Sequence, residues 1–133
     1  GYVFSALYLF RNEFMPYHAV ALNATWEEVQ SAYQVLILAL MKVSGGGWLG
    51  VSVTITFLIR EYARTERVWP LTASLVTGLS ILIPTLYAVF WVKNNSAANP
   101  PWIAALGVIL LLLTGWILAL VRKHHLKKTT SMK

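Results

Sequence analysis

Apolar positions in this chain do not alternate with polar ones; they run on. From Pro70 to Val92, and again from Pro101 to Val121, no side chain is charged. Each run satisfies the about 20 residues that a helix needs to cross roughly 30 Å of hydrocarbon. Helices over about 70–93 and 101–122 follow. Pro70 and Pro101 fall at first-turn positions, where a missing N–H removes no helical hydrogen bond. Trp69, Trp91 and Trp102 flank the runs as aromatic rings do at a membrane interface. A third run is longer. Thr25 and Glu28 have the spacing of a capping box, and Trp26, Val29, Tyr33, Leu36, Ile37 and Leu40 follow at helical spacing. No proline interrupts before Pro70, which predicts one helix over about 26–62. At 1.5 Å per residue it exceeds the bilayer thickness, so its first turns should project from the membrane.

The N-terminal run Gly1–Phe10 is apolar but covers only about 15 Å as a helix. It begins with Gly rather than Met and reads as the second half of a transmembrane helix, over about 1–14, which Pro16 ends. The expected architecture is all-α: one transmembrane domain over 1–133, a four-helix bundle whose first helix is incomplete, closed by a basic tail at 123–133.

Composition agrees with this pattern. Of 133 residues, 57% are hydrophobic and 12% charged, whereas a soluble domain carries about 25% charged residues. The absence of cysteine excludes a disulfide framework and a thiolate metal site. The net charge of +6 is not spread as a nucleic-acid patch, so no nucleic-acid partner is expected. Arg122, Lys123, Lys127, Lys128 and Lys133 form the tail, and Arg60, Arg64 and Arg67 lie between the second and third helices. The other connections hold only Arg11 and Lys93. By the excess of Lys and Arg in cytoplasmic loops, both termini and the Arg60–Trp69 loop face the cytoplasm, and 11–30 and 93–100 face outward.

Candidate chemistry gathers in the outward segment. Glu13, Tyr17 and His18 form a possible polar site, with Lys42 inside the apolar run 35–59 as a fourth member. An unpaired charge in a membrane span costs about 2.5–3.5 kcal/mol on the insertion scale. Lys42 therefore either snorkels to the interface, the reading its helix's excess length favours, or takes Glu13 as its partner. Glu13 and His18 pair with Arg11 or cap helix ends more readily than they bind metal, because no HxxxH or ExxH spacing accompanies them. Neither a metal nor another cofactor is expected.

Gly45, Gly46 and Gly47 follow Lys42. Gly46-xxx-Gly50, Ser74-xxx-Gly78 and Gly115-xxx-Ala119 are small-residue pairs of the kind that let membrane helices approach closely. Pro84 should kink the third span by freeing the Ser80 carbonyl. His124 and His125 are adjacent in the basic tail and, on a helix, point in different directions. There is no P-loop, GxSxG, HExxH or CxxC motif. The complete spans hold no carboxylate and no His, so catalysis by this chain alone has little support.

The motifs Glu13-Phe-Met-Pro-Tyr-His18, Ala39-Leu-Met-Lys42, Gly45-Gly-Gly47, Glu66-Arg67-x-Trp69 and Pro84-Thr-Leu-Tyr87 together resemble small bacterial inner-membrane proteins of about four helices, DoxX-like in general layout. That resemblance covers about Phe10 to Trp102. It implies a bacterial cytoplasmic membrane and a four-helix bundle, and transfers no catalytic role to any residue.

The expected function is a non-catalytic accessory or assembly subunit of a larger membrane complex, in contact with lipid and with other membrane subunits. A small oligomeric transporter or channel using Lys42, the glycine run and Pro84 is the first alternative. A quinone-linked or redox membrane enzyme using Glu13, Tyr17 and His18 is the second.

Overall fold

The computed structural model describes residues 1–130, with side chains through His125. Lys133 of the expected tail, and the side chains of Lys127 and Lys128, lie outside the described residues. Five helices occur in the order α1 (Tyr2–Phe10), α2 (Pro16–Leu22), α3 (Ser31–Thr65), α4 (Trp69–Asn95) and α5 (Trp102–Thr130), and no strand is present among the described residues. Helices α3, α4 and α5 are each long and apolar enough to cross a membrane. The chain is a helical membrane protein.

Two boundaries depart from the expected 1–14 and 26–62. The first helix stops at Phe10, and Arg11 turns extended. Pro16 then begins α2 instead of merely ending α1. Its fixed φ suits a first helical position, and it drives Met15 into the extended region. Thr25 and Glu28 make their capping bond, Thr25 N–H to Glu28 Oε2 at 2.7 Å, but it closes only a single turn. The Trp26 carbonyl is taken by the Gln34 side chain, 2.6 Å away, and α3 starts only at Ser31, after an extended Gln30. Helix α4 exceeds the expected 70–93 by one residue at its start and two at its end, whereas α5 starts one residue after the expected 101 and carries the helix on into the basic tail.

The helices pack in chain order: α1 on α3, α3 on α4, α4 on α5. All three pairs are antiparallel. Tyr2 Oη meets Thr56 Oγ1 at 2.9 Å, Phe4 stacks on Trp48 with centroids 5.6 Å apart, and Leu9 lies against Gly45. At the far side of the row, Trp116 Nε1 donates to Thr72 Oγ1 at 2.9 Å and Arg122 pairs with Glu66 at 2.8 Å. The main packing contacts thus form an open row of antiparallel helices.

Helix α4 is, with α3, an inner member of that row. Its buried positions Pro70, Ser74, Gly78 and Leu82 recur every fourth residue and make one stripe along the helix. A Cβ at Gly78 would collide with Leu112 of α5 and touch Ile55 of α3, so both neighbours close onto α4 at this glycine. Ser74 is buried, and its hydroxyl donates to the Pro70 carbonyl at 2.9 Å, which satisfies it within its own helix. Outward faces stay apolar: Val43, Phe57, Val76, Ile83, Leu110, Leu111 and Leu118 are all exposed on the isolated chain. Exposed apolar surface of that extent marks a lipid-facing or partner-facing protein. Helix α4 is continuous through Pro84, and Thr85 Oγ1 donates to the Ile81 carbonyl at 2.7 Å.

Replacing Gly78 by Leu should destabilise the protein by about 1–3 kcal/mol, the usual cost of overpacking a filled contact. Gly46→Leu should leave stability within about 0.5 kcal/mol, because nothing lies within 4 Å of a Cβ there. Denaturant unfolding of both variants in the same detergent, followed by circular dichroism, measures the difference.

Candidate functional site

The row has a gap. Helices α1 and α4 both lie along α3 without packing on each other, and α2 lies across the space between them. The result is a cavity of about 450 Å³ at the end of the molecule that carries residues 11–30. Tyr8 lines it from α1; Tyr17, His18, Ala21 and Leu22 from α2; Ile37, Leu40, Met41, Ser44 and Trp48 from α3; Thr85, Ala88, Val89 and Val92 from α4; and Pro100 closes one side. None of these side chains is an acid, a Lys or an Arg.

The polar groups concentrate where α1 meets α2. Tyr8 Oη and Tyr17 Oη share a hydrogen bond of 2.6 Å. Burial, and after it the neighbouring Tyr8 hydroxyl, push the Tyr17 phenol far above its usual range, so it stays protonated at any physiological pH. The His18 ring lies edge-on to Tyr17, with centroids 4.2 Å apart. Its Nδ1 accepts the Met15 N–H at 3.3 Å. An imidazole nitrogen that accepts a hydrogen bond carries no proton, so the neutral ring holds its hydrogen on Nε2. Burial lowers the His18 pKa from 6.5, which keeps the ring neutral at pH 7. The other hydroxyls are committed to backbone: Ser44 donates to Leu40 at 2.9 Å and Thr85 to Ile81.

Buried Phe14 sets this end of the molecule. It contacts Trp26 edge to face, with centroids 5.0 Å apart, and His18 at 6.4 Å. Asn23 ends α2 in the left-handed region with φ 51°, a conformation that Asn tolerates better than most residues, and the chain returns toward α3.

Of the four polar residues singled out from the sequence, the cavity gathers Tyr17 and His18. Glu13 is not among its lining residues; it pairs with Arg11 at 3.0 Å. Lys42 does not take Glu13 as its partner. Its ammonium donates to the Leu9 carbonyl at 3.0 Å, at an exposed position, because the last carbonyls of a helix lack intrahelical donors and attract a cation. Tyr8, Met41 and Trp48 were not singled out. Tyr8 and Tyr17 are nine residues apart on separate helices, and no periodicity links them.

The small residues divide. A Cβ at Gly45 would meet Tyr8 and Leu9 of α1, one at Gly47 would lie 3.9 Å from Ile81, and one at Gly78 would meet α5 and α3; Ser74 and Ala119 are buried. Gly46, Gly50 and Gly115 face open space. No three His, Asp or Glu side chains come together among the described residues. Compared with known protein families, curated proteins and solved structures, the chain has no significant match, so any functional reading rests on its own geometry. That geometry defines a polytopic helical membrane protein with an apolar cavity and a hydroxyl–imidazole end.

Because the folded state disfavours the imidazolium, the unfolded chain binds the His18 proton first as pH falls. The stability from this site is therefore full above 6.5 and declines as pH drops from there toward the lowered folded value. Detergent-solubilised protein should lose stability below pH 6.5, and His18→Gln should flatten that part of the curve; thermal unfolding across pH 7.5–4.5 measures it.

Proposed function

We propose that this protein holds a membrane-dissolved amphipathic molecule in the cavity between α1, α2, α3 and α4. The observation that carries the reading is the division within one cavity of about 450 Å³: aliphatic walls along α3 and α4, and Tyr8, Tyr17 and His18 together at one corner. Small-molecule sites have this composition, mostly apolar with a few convergent polar groups, and volumes of about 300–1,000 Å³. The Lys and Arg bias supports an orientation with the C-terminus in the cytoplasm and the cavity toward the outer leaflet, here of a bacterial cytoplasmic membrane.

A second reading is an accessory or assembly subunit of a membrane complex. It is favoured by α3, whose Gly46 and Gly50 have no neighbour within 4 Å although small-xxx-small faces ordinarily receive another helix. The two readings are compatible, since the glycine face and the cavity use different residues.

Protein purified from native membranes in mild detergent should carry a bound apolar molecule that organic extraction and mass spectrometry identify, and Ala88→Trp, which fills the cavity, should remove it. An Ala88→Trp protein that retains the molecule would refute the cavity as its site. For the second reading, Gly50→Leu should keep the monomer's thermal stability and shift its native mass from that of a complex to that of the chain alone.

A further inference from the structure

Charge is divided unequally between the two ends of the helix row. The end that carries the cavity holds Arg11, Lys42 and Lys93 against Glu13, Glu27 and Glu28, so its charges balance. The other end holds Arg60, Arg64, Arg67, Arg122 and Lys123 against only Glu61 and Glu66. Arg122 pairs with Glu66 at 2.8 Å, which brings the end of the last apolar run to the α3–α4 turn, so the five cations share one surface. The sequence adds Lys127, Lys128 and Lys133 beyond them.

These cations are not equally engaged. Glu66 holds Arg122, and Arg64 lies 4.0 Å from Glu61. The guanidinium groups of Arg60 and Arg67 and the Lys123 ammonium form no ion pair among the described residues, and all three residues are exposed. The helix dipole accounts for a cation in the last turn of α3, where Arg64 sits. It does not account for Lys123, which lies well before the end of α5 at Thr130.

Exposed apolar side chains adjoin each of them: Ile59 precedes Arg60, Val121 precedes Arg122 and Lys123, and Trp69 follows closely after Arg67. An exposed Trp beside cations marks the headgroup level of a bilayer. A nucleic acid or an acidic protein segment would match the charge alone, whereas a phospholipid carries a phosphate and an apolar chain on one molecule. Arg presents paired N–H donors in the fork that phosphate oxygens accept.

We propose that this end of the molecule is a binding surface for anionic phospholipid, whose phosphates meet Arg60, Arg67 and Lys123 and whose chains run along Ile59, Trp69 and Val121. A net-negative head is preferred over a zwitterionic one, because cations outnumber acids here and a zwitterion brings a cation of its own. Each Lys or Arg close to such a headgroup contributes about fivefold in affinity, less as salt screens it. The surface shares no residue with the cavity, so this inference and the ligand reading stand or fall separately.

Thermal unfolding of the detergent-solubilised chain, titrated separately with dioleoylphosphatidylglycerol, dioleoylphosphatidylcholine and sodium phosphate, tests this, because a ligand of the folded state raises the unfolding midpoint once its concentration passes its Kd. Phosphatidylglycerol should act at concentrations at least tenfold lower than phosphatidylcholine, and about 0.5 M NaCl should narrow the difference. Arg67→Gln should weaken phosphatidylglycerol about fivefold, whereas Lys93→Gln, the same loss of charge at the balanced end, should leave it unchanged. Combining Arg60→Gln, Arg67→Gln and Lys123→Gln should abolish the preference, and the lipid-free midpoint of each variant reports its fold in the same experiment. An equal response to the two lipids would overturn recognition of the head. An equal response to sodium phosphate would make this a free-anion site and overturn the lipid. Equal losses in Arg67→Gln and Lys93→Gln would reduce the effect to net charge, and a preference retained in the triple variant would place the lipid elsewhere; either overturns the surface.

Discussion

Everything in this fold hangs on how closely α4 can be approached. At Gly78 the missing side chain admits Leu112 from one neighbour and Ile55 from the other, so two long helices converge on a single backbone position. Ser74, one turn earlier and buried, extends the same narrow stripe. In a bilayer the lipid chains compete equally well for apolar side chains, and association depends on close van der Waals contact instead. Small residues supply that contact. Once α3 and α5 are seated on α4, and Gly45 seats α1 on α3, the row is set. The cavity is what remains because α1 and α4 take positions along α3 without meeting.

Polar groups within this framework follow a consistent economy. Ser44, Ser52, Thr54, Thr56, Ser74 and Thr85 each donate to the carbonyl four residues back in their own helix. Such bonds satisfy a hydroxyl in hydrocarbon without a tertiary partner. Against that background the Tyr8–Tyr17 bond is unusual, since it joins two helices at the lip of a cavity. So is His18, whose Nδ1 accepts the Met15 N–H at the start of α2. The same imidazole therefore holds the start of α2 and lines the cavity beneath it.

Lys42 shows how far linear reasoning goes. Its place in an apolar run states that it must be satisfied, and the excess length of α3 favours a position near the interface. Both follow from transfer energetics. The partner did not follow. A carboxylate is the obvious candidate, but Glu13 has Arg11 two residues away, and the competing acceptor is a main-chain carbonyl at the end of α1. Backbone acceptors have no signature in composition, since every residue has one. Which of them is free depends on where a helix stops, and α1 stops at Phe10, where its apolar run ends and four residues before the end that Pro16 indicates. Likewise the capping pair Thr25 and Glu28 forms as its spacing demands, while the helix it was expected to open begins later, because Trp26 is engaged by Phe14 and by Gln34.

What the sequence determined by itself is the solvent this protein lives in and the parts it is made of. Long uncharged runs bounded by Trp, Pro, Lys and Arg specify three spanning helices, because hydrocarbon tolerates neither unpaired backbone nor stray charge. The motif around Pro16 marked Tyr17 and His18 as chemically notable. Tertiary structure alone decided that Tyr8, from another helix, completes their polar corner, that Trp48 and Ala88 wall the same space, and that Gly78 works inside the chain while Gly46 and Gly50 face outward. These outcomes turn on the rotation of each helix about its axis and on which neighbour it meets. In water the burial of an apolar stripe fixes that rotation; helices that are apolar all round carry no such stripe, and the choice passes to the fit of small side chains against large ones.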